Sequence, residues 1–238
     1  MTTRTPGRPR AFDRDAALEK ALVEFWRHGY EATSIATLTA AMGIRPPSLY
    51  AAFGDKRALF GECVRRYEER HGVLVTRALT EEPTAERAIG RMLRELAADY
   101  TDPSHPPGCL IITATANHGP DCADVAEELR AMRLATKQRI ADRIAADVRA
   151  GLLPDWTDVT GLATFFAAVI QGMSRQAQDG ATRADLERVA AMAMHAWPPP
   201  PPDPAPPRHR PLAVIQGGDR LRRPPGSCRG ARSCFEAG

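Results

Sequence analysis

The sequence predicts an all-α protein, and three observations carry that prediction. Apolar residues recur every three or four positions from about residue 13 to 197, the period of a helix packed on one face. No segment there alternates apolar and polar residues in the manner of a strand. Helix starts and stops punctuate the periodic runs, with Asp13, Asp55 and Thr84 suited to N-caps and Gly29, Gly43 and Gly151 suited to ends.

Taken in order, Leu18, Ala21, Leu22, Phe25 and Trp26 form one face of a first helix, which Gly29 stops. A longer helix begins at Asp55 with Leu59, Phe60 and Val64 facing inward. Another spans roughly 84–101 through Ile89, Met92, Leu93 and Leu96, and "DPSHPPG" breaks the chain after it. "CLIITATANHG" reads as a short apolar helix ending at Gly119. A long amphipathic stretch runs to Ala150 through Val125, Leu129, Met132, Ile140, Ile144 and Val148. Two further helices follow, the last opening with Thr182 and Asp185 at capping-box spacing. The expectation is about nine helices.

With 238 residues, 43% of them hydrophobic, the chain has material for a real core. No apolar run approaches the roughly 18 residues that span a bilayer, and the N-terminus has no apolar signal core. A cytoplasmic protein without a membrane partner is expected. The five cysteines (Cys63, Cys109, Cys122, Cys228, Cys234) show no paired framework and read as free thiols. Net charge is +3 over residues 1–70, −4 over 71–197 and +4 over 198–238. That asymmetry fits a nucleic-acid contact at one end. Residues 198–238 hold 11 of the 21 prolines and no apolar period, so they read as a disordered tail.

The segment "TSIATLTAAMGIRPPSLYAAFGDK", Thr33 to Lys56, holds two helices too short to persist alone. Thr33 or Ser34 caps the first, Gly43 allows the tight turn, and Pro46 and Pro47 occupy the first turn of the second. Leu49 and Phe53 face inward, leaving Arg45, Ser48, Tyr50 and Ala51 outside. Packed on the first helix, this is a helix-turn-helix, whose second helix enters a major groove with its N-terminal residues toward base edges.

"FWRHGYEATSIATLTAAMGIRPPSLYAAFGDKRALF" resembles the DNA-binding segment of the TetR family of transcriptional regulators over about residues 11–60. The resemblance implies three N-terminal helices that bind DNA and about six more that form a ligand-binding and dimerisation body. It divides the chain into a basic arm (1–12), a helix-turn-helix domain (13–60), the body (61–197) and the tail (198–238). It implies phosphate contacts by Thr33, Tyr50 and Lys56, and places Arg45, Pro46, Pro47 and Ser48 at the entrance of the recognition helix. Arg45 stands where family members often have a short polar cap, and alanines stand where they often have a His. The Arg45 guanidinium either pairs with guanine O6/N7, or contacts phosphate or solvent. Tyr50 either contacts phosphate or is partly core. Arg8 and Arg10, beside Pro9, either enter a minor groove or belong to a solubilising arm.

His105, Cys109, His118 and Cys122 fall within 18 residues and carry metal-binding chemistry, but not at the spacing of a compact zinc module. Cys109 is either a redox or electrophile sensor or a small buried residue. No cofactor or resident metal is expected. The leading function is a homodimeric repressor that leaves a pseudo-palindromic operator on binding an unknown small effector. The runner-up, an enzyme using Cys109 with a nearby His, lacks any phosphate loop or nucleophile motif.

Overall fold

The computed structural model describes residues 12–115 and 119–199. The arm, His118 and nearly all of the tail, with Arg8, Arg10, Cys228 and Cys234, lie outside the described residues. Among the described residues there are ten α-helical segments and no strand. They are α1 (Arg14–Ala32), α2 (Ile35–Met42), α3 (Pro46–Phe53), α4 (Lys56–Tyr67), α5 (Val73–Glu81), α6 (Ala85–Tyr100), α7 (Leu110–Thr113), α8 (Ala123–Arg149), α9 (Val159–Gln178) and α10 (Arg183–Met194). A π-helical turn, Glu68–Gly72, joins α4 to α5 without a break, so these two form one bent rod. No helix is long and apolar enough to cross a membrane.

The caps follow the sequence. Asp13 accepts from the Asp15 and Ala16 amides, Ser34 from Thr37, Asp55 from Ala58 and Thr84 from Arg87. Each such cap contributes about 1 kcal/mol. The capping box of Thr182 and Asp185 forms in both directions. Gly29 departs from helical geometry at φ 78°, ψ 173°, and a last helical turn resumes beyond it. Among the described residues, the apolar stretch after Gly108 gives the four-residue α7.

Helix α6 is the axis of the body. Ile89, Met92 and Leu93 on it are fully buried, each contributing roughly 1.5–3 kcal/mol. Helices α5, α8, α9 and α10 pack around it. Buried Asp147 of α8 accepts from the Ala85 amide at 2.6 Å and pairs with Arg143, fixing the start of α6. In the N-terminal helices Phe25, Tyr30 and Phe60 form an edge-on aromatic centre, with ring centroids 5.0 Å and 4.9 Å apart. The division expected at 60/61 falls inside α4, which belongs to both parts.

Candidate nucleic-acid interface

Helices α2 and α3 meet at Gly43, which takes the left-handed conformation at φ 70° and closes α2 with bonds to Thr39 and Ala40. Arg45 is the N-cap of α3. A residue before proline is pushed to extended backbone, and Arg45 has φ −91°, ψ 152° with no side-chain cap. Its guanidinium is therefore not spent on the helix end. Leu49 and Phe53 are buried, and they orient α3 so that Arg45, Pro46, Pro47, Tyr50 and Ala51 are exposed while Ser48 is half-buried. Tyr50 is 50% exposed.

Lys56 opens α4. Its ammonium lies 4.4 Å from the Tyr30 ring centroid and donates to the Glu31 carbonyl at 3.3 Å. Burial lowers its pKa, opposed by the charges of Cys122 and Glu31. Lys56 is thus held between the end of α1 and the start of α4.

Thr33 requires a correction. It is fully buried, and its hydroxyl donates to the Gly29 carbonyl at 2.6 Å. The kink at Gly29 turns the following strand of backbone inward, so the Thr33 side chain locks the α1 exit and is withdrawn from the phosphate-contact set. Ser34, not Thr33, caps α2.

Sequence reasoning missed two arginines that hold this face in place. Arg14 of α1 forks onto Glu62 at 2.7 Å and 2.8 Å and lies 4.3 Å over the Phe53 ring, tying α1, α3 and α4 together. Arg57 of α4 donates to Asp124 at 2.8 Å and pairs with Glu128, both on α8. Their partners are 48 to 71 residues away in sequence, beyond the reach of any local pattern.

Cys109 sits at the start of α7, buried, with its amide donating to Ser174 Oγ at 2.8 Å and its sulfur accepting from Tyr67 Oη at 3.2 Å. Burial raises its pKa above the ordinary thiol value, opposed by the Tyr67 hydrogen bond. It borders a cavity of about 90 Å³ whose apolar wall includes Leu96, Ile111 and Ile170 and whose α8 side carries Arg133 and Lys137. Cys122 is buried elsewhere, beside Lys56 and Glu31. Cys109 and Cys122 join no group of three ligating side chains among the described residues. His105 instead faces Asp99 and His71, two residues that the sequence did not single out.

Residues 17–63 match the family profile described as bacterial regulatory proteins, tetR family, and residues 85–193 match the tetracyclin repressor-like C-terminal domain. The chain is 37% identical over 193 residues to the HTH-type transcriptional repressor ComR of Escherichia coli (strain K12), covering 81% of this chain and 92% of the relative. It is 32% identical over 196 residues to the repressor BdcR of the same organism, covering 82% and 93%. The TetR family transcriptional regulator CifR, solved as a cysteine mutant with 26 bp double-strand operator DNA, superposes with a TM-score of 0.77 at 42% identity, over 80% of this chain and 100% of that one.

Proposed function

The chain belongs to the tetR family of bacterial regulatory proteins, and from that membership we propose that it is a homodimeric repressor that leaves a pseudo-palindromic operator when a small effector binds its body. The observation that carries the reading is the outer face of α3, where Arg45, Pro46, Pro47 and Tyr50 are exposed while Leu49 and Phe53 anchor the helix from behind. That geometry supports entry of the α3 N-terminus into a major groove, with Tyr50 and Lys56 gripping phosphates on either side. The named relatives are transcriptional repressors, which sets aside an enzymatic role for Cys109. A DNA-bound regulator of this kind works in the cytoplasm.

Dimerisation uses α9 and α10. Phe166, Met173 and Leu186 are buried in the chain's own core. The apolar side chains left outside are Phe165, Val189 and Met192, at 40%, 40% and 65% exposure. They support a four-helix seam between two copies. Two-fold symmetry then sets half-sites roughly 34–36 Å apart, or a multiple of that. The cavity beside Cys109 suits a small, mostly apolar effector with a polar end. It touches Tyr67 at the end of α4, and α4 carries both Lys56 and the Arg57 tie to α8. An effector that prefers one setting of α4 shifts the spacing of the two heads.

The test is a mobility-shift and footprinting assay on the DNA upstream of the chain's own coding sequence. A two-fold footprint that resists nonspecific competitor is expected. Equal affinity for scrambled DNA would overturn the reading.

A further inference from the structure

A cluster that DNA contact does not explain sits beside the cavity, between the head and the body. It consists of His71 from the π-helical turn, Asp99 from the last turn of α6, and His105 from the loop after α6. Their side chains are only 15%, 13% and 12% exposed. One ligating atom from each lies within 4.8 Å of the other two.

The geometry of this cluster suits a cation. His105 Nδ1 lies 3.0 Å from the Pro106 carbonyl oxygen. A carbonyl oxygen only accepts, so Nδ1 carries the hydrogen. The other nitrogen, Nε2, faces Asp99 Oδ1 at 3.7 Å. That distance exceeds a hydrogen bond and is close to the roughly 3.4 Å between two ligands of a tetrahedral ion with bonds of about 2.1 Å. A carbonyl on the far nitrogen of a histidine is also the arrangement that orients metal-bound imidazoles. His71 Nδ1 meets the same Asp99 Oδ1 at 2.8 Å. Asp99 Oδ2 is buried with no hydrogen-bond partner among the described residues. One carboxylate oxygen is crowded and the other idle, an arrangement that a shared cation resolves.

We propose that His71, Asp99 and His105 bind a borderline first-row divalent cation of the zinc type, and that the DNA-binding head senses its occupation through Trp26. Two imidazoles and a carboxylate are the donor set of an open three-ligand zinc site. His71 also lines the cavity, which gives the ion a way in. Trp26 of α1 stacks on His105 at 4.6 Å and 18°, and its edge meets His71 at 4.9 Å and 80°. Tyr67, the last residue of α4, stacks on His71 at 4.8 Å. Drawing both imidazoles onto one ion moves the two rings against which α1 and α4 rest. The coupling to DNA rests on the function proposed above; the metal site itself does not.

The test strips the full-length chain with chelator and titrates it with Co²⁺, then displaces Co²⁺ with Zn²⁺. One ion per chain is expected, with the visible bands of a four-coordinate nitrogen and oxygen site and no thiolate charge-transfer band. His71→Gln and His105→Gln should each weaken binding by at least about tenfold, and Cys109→Ser should leave it unchanged. Operator affinity measured with and without Zn²⁺ should differ by at least about fivefold in wild type only. No saturable binding in wild type, or binding that survives both histidine variants, would overturn the site and leave a buried His–Asp pair sharing protons. Should a variant not fold, the wild-type Co²⁺ spectrum decides alone. Metal binding without any change in DNA affinity would overturn the coupling. A chain that binds no operator even when stripped would instead count against the proposed function, with the titration still decisive.

Discussion

Gly29 lies against the backbone of Ala114, and a Cβ built on it would stand 3.0 Å from the Ala114 carbonyl oxygen. The neighbouring Tyr30 amide donates to that same oxygen at 2.9 Å. One glycine thus makes the kink that ends the straight part of α1, admits α7 against it, and aims the Thr33 hydroxyl inward. Gly29→Ala adds strain from φ 78°, ψ 173°, a region open essentially to glycine, and a clash with main chain that cannot swing aside. The expected cost is about 1–3 kcal/mol, or a fall in Tm of roughly 2–12 °C for a domain of this size. Calorimetry checks it, and an unchanged Tm would mean that α1 and α7 are not docked this way.

Arg45 and Lys56 separate reading from gripping. Arg45→Ala is expected to relax preference at one base position, at about 1–3 kcal/mol for a lost bidentate guanine pair. Lys56→Ala is expected to weaken binding to every sequence alike and to make the salt slope shallower by roughly one unit. Binding isotherms on single-substituted operators at several salt concentrations distinguish the two. Uniform loss in both variants would reduce Arg45 to a phosphate contact.

The exposed apolar side chains of α9 and α10 make a claim about assembly. Phe165→Glu and Met192→Glu each place a charge where a symmetry mate must pack; Phe165→Glu also removes an edge-on contact with the fully buried Phe166, at 5.2 Å between ring centroids, so Met192→Glu is the cleaner of the two. Each is expected to weaken the dimer by about 2 kcal/mol, the scale of a central interface residue. Sedimentation velocity should show a shift toward monomer with helicity retained in circular dichroism. A dimer indifferent to both substitutions would place the seam on another face.

The reach of the sequence is uneven for physical reasons. Period, caps and breakers are local, so the all-α class, the turn at Gly43, the prolines opening α3 and the Thr182–Asp185 box were legible. Burial at the ends of elements is not local. The resemblance gave Thr33 a phosphate contact, but its hydroxyl bonds back to Gly29, whose kink packs on Ala114 far along the chain, so its burial has no local signature. Phe165 and Phe166 are adjacent and chemically identical, and only the helices packed around α9 decide which one is outside. His71, Asp99 and His105 carry no spacing signature, because a π turn, a helix end and a loop bring them together.

Cys109 gives a prediction with a defined sign. Burial lifts its thiol above the ordinary value, and the start of a four-residue helix is too short to reverse that. The group is therefore protonated at pH 7, and its thiolate fraction grows only as pH climbs toward the raised pKa. Alkylation by iodoacetamide, followed by peptide mapping at Cys109, should be slow at pH 7 and rise about tenfold per pH unit up to pH 9 without a plateau. Tyr67→Phe removes the hydrogen bond that opposes burial, so the rate at pH 8 should fall while the slope remains. A plateau reached below pH 7 would show an activated thiolate, and would turn Cys109 from a packing residue beside the cavity into a redox or electrophile sensor.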